Sequence, residues 1–226
     1  KVSLRSPPLL PLIACVDPAL TLTMPPALTA NTGMDALSHI LESFVSHANN
    51  PMTDAICREG LMRARSLLPA FKNGNDLAAR SDMSLASLMG GMALANSRLG
   101  AVHGFAAPLG GTFDAPHGAV CAALLAPVME VNIRALRGRD PGSPSLERYA
   151  VVAQILTNDQ SATAEDGVKW VSDLAHHLGI SGISSFGVTE SHSSELCVKA
   201  AAASSMKGNP IVLQTEELQE ILHRAR

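Results

Sequence analysis

The sequence predicts a mainly α fold, a helical bundle preceded by one strand, and three observations carry that prediction. Hydrophobic residues fill 46% of the 226 positions while aromatics fill 3%. The core must therefore come from Ala, Leu, Val, Ile and Met, which suits closely packed helices better than a β-sandwich. Apolar residues recur at helical spacing through most of the chain. A single stretch, residues 9–16, reads as a strand: it is β-branched at its end and stopped by Asp17-Pro18. A lone strand needs neighbours, so its sheet partners are expected in an N-terminal part that is missing. The first residue, Lys1 rather than Met, is read in the same way, as a cut or incompletely recorded chain.

Pro25-Pro26 opens a short helix or turn, since Pro suits the first helical position. A helix over residues 31–48 follows, with Leu37, Ile40, Leu41 and Phe44 as its apolar positions. Asn50-Pro51 restarts a helix that runs to about Phe71, and Asn73-Gly74-Asn75 is a turn. Residues 76–99 form a long helix whose small residues, Gly90 and Gly91 among them, admit a close neighbour. Residues 100–113 carry His103 among glycines, and Pro116-His117-Gly118 starts a helix to about Leu136. After the polar loop 137–143 come amphipathic helices over 144–156 and 163–178, the second stopped by Gly179. Residues 181–187 are a loop. Thr189 or Ser191 caps a helix through Ala203, Gly208-Asn209-Pro210 breaks the pattern, and Thr215 caps a last helix.

Composition narrows the functions. The net charge is −3 and the pI about 6.2, and no Lys/Arg block interleaves with aromatics, so nucleic-acid binding is unsupported. No run reads as long and apolar enough to span a bilayer. The N-terminal apolar stretch is interrupted by Pro7, Pro8 and Pro11 and is taken as structure rather than a signal peptide. Cys15, Cys57, Cys121 and Cys197 are scattered without a CxxC and read as buried, reduced thiols of a cytoplasmic protein. GxSxG, HExxH, a GK[ST] phosphate loop and GxGxxG are all absent.

The chemistry gathers on residues 31–44, NTGMDALSHILESF. Asp35 and His39 stand four residues apart on one helical face, where a carboxylate and an imidazole can offer lone pairs to one point. Alone, such a pair also reads as a solvated pair or a cap. His103 in GAVHGFAAPLGG and His117 in DAPHGAVCAALL add two histidines in Gly/Pro-rich settings, and together the four make a plausible site for iron(II) or zinc. His47, His176, His177, His192 and His223 lie on polar faces or near helix ends and read as exposed or capping.

The segments NTGMDALSHILESFVSHANNPMTDA, GAVHGFAAPLGGTFDAPHGAVCAALLAPVMEVN and SSMKGNPIVLQTEEL resemble the C-terminal helical domain of the iron-containing (group III) alcohol dehydrogenases, in order and spacing over nearly the whole chain. The resemblance implies a dehydroquinate synthase-like helical fold, with residues 1–24 the residual strand and linker of an α/β nucleotide-binding domain and 25–226 the metal-binding catalytic domain. It implies Asp35, His39, His103 and His117 as ligands of Fe2+ or Zn2+, NAD or NADP as cofactor in the complete enzyme, and Lys1 beside the cofactor ribose. A small alcohol, aldehyde or ketone is the implied substrate and a homo-oligomer the implied assembly, with no membrane or nucleic-acid partner. A face normally covered by the other domain is expected to be apolar and to promote self-association.

The resemblance has one departure. Many members carry a second histidine four residues after the one matching His103, where this chain has Ala107, so a proton relay through that group is not implied here. GGTFDAPH is also similar to maleylacetate reductases, which gives a reductase of that type as an alternative. A non-catalytic helical remnant or scaffold is a further one.

Overall fold

The computed structural model describes residues 7–9 and 11–226. Its helices are α1 (Pro26–Val45), α2 (Pro51–Ala64), α3 (Leu67–Lys72), α4 (Leu77–Asn96), α5 (Ala101–Thr112), α6 (His117–Arg139), α7 (Pro144–Thr157), α8 (Ala164–His177), α9 (Ser193–Ala202) and α10 (Thr215–Arg224). The all-helical bundle is as expected, but the expected strand over residues 9–16 is not there. Among the described residues no strand forms: Pro7–Leu9 is a 3-10 turn and residues 11–17 have no regular structure. Strand propensity cannot act without a neighbouring ladder to take up the backbone N–H and C=O groups.

Two helices carry the core. Along α1, Met34, Leu37, Ile40, Leu41 and Phe44 are fully buried, and α2, α3, α4, α6 and α7 pack around it. Along α6, Val120, Leu124, Leu125, Val131 and Leu136 are buried against α1, α5, α8 and α10. By length and composition α6 could cross a membrane, contrary to the reading that no run is long enough. However, 72% of its apolar window is buried inside the fold, as in a core helix.

Local chemistry sets the ends. Asn50 caps α2 by accepting from the N–H of Met52 and Thr53, each at 3.1 Å, while its own N–H donates to Thr53 Oγ1. Asp76 Oδ1 caps α4 by accepting from Ala79 N–H. Gly179, at φ +68°, takes the left-handed turn that ends α8. The helix expected from Pro51 to Phe71 is two, because Ser66 Oγ donates to Asp82 Oδ2 at the break and Leu67 inserts against Gly33 of α1, where a Cβ would lie 2.1 Å from its Cδ1. α1 begins at Pro26, joining the short turn and the following helix into one.

Cys57, Cys121 and Cys197 are buried as expected, whereas Cys15 is exposed on the irregular N-terminal segment. That segment also exposes Leu12 and Ile13, and Leu20 is exposed on the 3-10 turn Pro18–Thr21 that follows. A cavity of about 890 Å³ opens between it, α1 and α4, lined in part by Val16, Gly33, Leu88, Gly91 and Met92.

Candidate metal centre

Three helices bring Asp35, His39, His103 and His117 together. Asp35 and His39 project from one face of α1, His103 from the first turn of α5, and His117 from the first residue of α6. Asp35 Oδ1 stands 3.3 Å from His103 Nε2, 3.7 Å from His117 Nε2 and 3.8 Å from His39 Nδ1. The His39 and His103 rings lie 4.3 Å apart, and those of His103 and His117 5.5 Å. His103 is buried, while Asp35, His39 and His117 line a half-buried rim.

Glycines permit the convergence. A Cβ on Gly118 would lie 2.6 Å from Asn31 O, so this residue lets the start of α6, and His117 with it, press against α1. A Cβ on Gly90 of α4 would meet His39 Cβ at 3.1 Å.

His103 is held from behind by Glu42, one of the few charged side chains buried in the core. His103 Nδ1 donates to Glu42 Oε2 at 2.7 Å, which turns Nε2 toward Asp35. The same carboxylate accepts from the N–H of Val102 at 2.6 Å and of His103 at 3.4 Å, and Asn209 Oδ1 accepts from Ala101 N–H at 3.1 Å. Glu42 and Asn209 thus close the first turn of α5, where backbone donors otherwise go unmet.

The electrostatics couple Asp35 to the three histidines. Burial opposes ionisation of Asp35, but the close His103 Nε2 and the charges of the three histidines outweigh it and hold the carboxyl at about 2. Burial also opposes a charged His103, yet its contacts with Asp35, Cys121 and Glu42 push it up to about 12. His39 is lowered, first by burial and then by the charge on His103, which favours a neutral imidazole with a lone pair to give.

The geometry fits a metal ion. Ligands about 2.0–2.3 Å from an ion at tetrahedral angles stand about 3.3–3.8 Å from one another, the range in which the Asp35 contacts fall. Asp35 Oδ1 is buried yet makes no hydrogen bond of good geometry, so a cation among the ring nitrogens would satisfy it.

Sequence reasoning did not single out Glu42 or assign Cys121 to the site. Glu42 follows Asp35 by seven residues and His39 by three, so helical spacing on α1 could have found it. Cys121 follows His117 by four on α6, and its Sγ lies 3.7 Å from His117 Nε2 and 3.8 Å from His103 Nε2. Ala107, one turn after His103, is exposed. Lys1 lies outside the described residues.

Comparison with known proteins gives the chain a family. Residues 29–226 match the Fe-containing alcohol dehydrogenase family, C-terminal. The chain is 34% identical over 223 residues to 1,3-propanediol dehydrogenase of Klebsiella pneumoniae, covering 96% of this chain and 55% of that protein. It is 46% identical over 125 residues to alcohol dehydrogenase 4 of Saccharomyces cerevisiae, covering 55% of this chain and 33% of that one. A crystal structure of 1,3-propanediol oxidoreductase superposes with a TM-score of 0.85 at 33% identity, over 93% of this chain and 55% of the other. An all-helical domain of this fold is that of the C-terminal part of iron-containing alcohol dehydrogenases. The chain belongs to the iron-containing alcohol dehydrogenase family, and it spans between a third and about half the length of these relatives.

Proposed function

We propose that this chain is the metal-centre part of an NAD(P)-dependent oxidoreductase that interconverts an alcohol with an aldehyde or ketone. The carrying observation is the set of donor separations around Asp35 Oδ1, 3.3, 3.7 and 3.8 Å to three imidazole nitrogens, which fits one divalent ion. In this reading Asp35, His39, His103 and His117 hold Fe2+ or Zn2+. An ion so held is a Lewis acid that lowers the pKa of an alcohol and polarises a carbonyl.

The chain's residues prepare that site. Asp35 supplies one negative charge, which leaves a divalent centre at a net +1. Glu42 fixes the ring of His103 through Nδ1, so that Nε2 is presented to the centre. The half-exposed His117 marks the open side from which a small substrate enters. Ala107 places no proton-transfer group one turn beyond His103. The hydride partner in this reading is NAD or NADP, and the relatives' names support a small alcohol as substrate. The complete ligand set supports this reading over the maleylacetate reductase alternative.

The test is metal content of protein purified without chelator or His-tag. About one iron or zinc per chain is expected, lost in His117→Ala and kept in His47→Ala, whose ring instead lies 3.4 Å from Asn209 O. Equal loss in both variants, or no metal after anaerobic reconstitution, would overturn it.

A further inference from the structure

We propose that the cavity between α1, α4 and the N-terminal segment is a binding site for a monocarboxylate with an apolar chain, its carboxylate held by Arg80. The site is separate from the metal centre and does not depend on it. The cavity holds about 890 Å³, within the range of small-molecule sites. Its two ends differ. At the inner end Arg80, Thr29 and Leu67 are buried, and at the outer end Leu88, Gly91 and Met92 are open to solvent. Arg80 and Met92 both belong to α4, twelve residues apart, or about 18 Å along its axis. An acyl chain can therefore lie along the helix from the buried end to the open one.

Arg80 is the reason for a carboxylate. It is 3% exposed, yet no carboxylate pairs with it among the described residues. A guanidinium carries five N–H donors. Nε donates to Gly74 O at 3.0 Å, Nη1 to Thr29 Oγ1 at 2.7 Å and Nη2 to Met24 O at 3.3 Å, all neutral oxygens. They fix the group in place without neutralising it, and each Nη keeps one N–H without an acceptor among the described residues. That pair of donors matches the two oxygens of a carboxylate. A buried cation without a counter-charge is costly, and a bound anion relieves the cost. Asp76, one turn earlier on α4, is turned to the N–H of Ala79. Asp17, the only acidic side chain among the described residues that line the cavity, is exposed and accepts from Ala19 N–H. The rest of the lining is mostly small or apolar, which suits a hydrocarbon tail better than a sugar or a nucleotide.

The experiment titrates the full chain with octanoate, and with octanamide as its neutral counterpart, by calorimetry. Octanoate is expected to bind about 10–100-fold more tightly, the range that one hydrogen bond to a charged group spans. Arg80→Met is expected to erase that difference. Gly91→Leu fills the outer end, where a Cβ meets nothing within 4 Å, and is expected to abolish binding of both ligands while leaving Arg80 untouched. His117→Ala is expected to bind octanoate as the wild type does, which separates this site from a carboxylate bound at the metal centre. Equal wild-type affinity for the two ligands, no binding of octanoate, loss of its binding in His117→Ala, or unchanged binding in Gly91→Leu would each overturn the proposal and leave the metal reading standing. If Arg80→Met does not fold, Gly91→Leu and the octanamide comparison decide it.

Discussion

Glu42 and His103 meet at 2.7 Å across 61 residues of sequence, both buried, and this contact joins the centre of α1 to the start of α5. One carboxylate orients the imidazole and also takes up two backbone N–H groups of the following helix. The expected effect of Glu42→Gln is a metal affinity about 10–100-fold lower, read by chelator competition. Glu42→Ala also leaves buried N–H groups without a partner, at a cost of about 1–3 kcal/mol for such a group, read by urea unfolding of the metal-free protein. Wild-type affinity in both variants would show that His103 needs no support from behind.

The amide pair Asn132–Asn209 is the second support. Asn209 Nδ2 donates to Asn132 Oδ1 at 2.7 Å, Asn132 Nδ2 donates back to Asn209 Oδ1 at 3.1 Å, and Asn132 Nδ2 also reaches Tyr149 Oη at 3.1 Å. Because each amide leaves the other unsatisfied when removed, Asn132→Ala and Asn209→Ala should be non-additive. A double-mutant cycle by chemical denaturation is expected to give a coupling of about 0.5–3 kcal/mol. Simple additivity would mean that the two amides stand independently.

Glycine substitution separates close helix contact from helix propensity. Gly118→Ala drives a Cβ toward the Asn31 carbonyl, 2.6 Å away, and a backbone atom cannot turn aside. The expected loss is about 1–3 kcal/mol, with weaker metal retention because His117 moves with the start of α6. Gly91 on α4 has nothing within 4 Å of its would-be Cβ, so Gly91→Ala is expected to stabilise by about 0.5–1 kcal/mol. Thermal melts of the two variants should shift in opposite directions.

Acid stability has a marker far from the site. Glu220 on α10 pairs with Arg134 of α6 and with Arg224, and Arg134 above all, helped by Arg224, overcomes the opposing effect of burial to hold it at about 2, below its ordinary 4.5. A depressed carboxylate stabilises the fold above the unfolded-state value, and that stabilisation disappears as pH falls through the folded value. The melting difference between wild type and Glu220→Gln should therefore be full at pH 7 and shrink from about pH 4.5 toward pH 2. A constant difference over that window would remove the ion pairs as its cause.

Much of this arrangement was legible in the sequence, for local reasons. Asp35 and His39 were found because a helix repeats its face every three to four residues, and His103 and His117 because glycines and prolines surround them. Helix starts at Pro51 and Asp76 follow from capping chemistry within three residues. The strand over residues 9–16 was misread because its apolar run carries the propensity but not the neighbour. The break at Arg65-Ser66 was missed because Asp82 and Gly33, distant in sequence, make it. Cys121 reads from the sequence as a buried, reduced thiol; its helical spacing from His117 is local, but the His103 nitrogen that also faces it comes from α5.

The closure of α5 by Asn209 also bears on when the centre becomes whole during synthesis. The Asp and His donors have all emerged once His117 leaves the ribosome, yet the residue that seals the helix start beneath His103, Asn209, is made much later, 108 residues after the Ala101 N–H that it caps. A nascent chain holding every donor still lacks that seal. Closure of that helix start is thereby deferred until Asn209 has been made, and a product that stops short of it carries the donors without their lock.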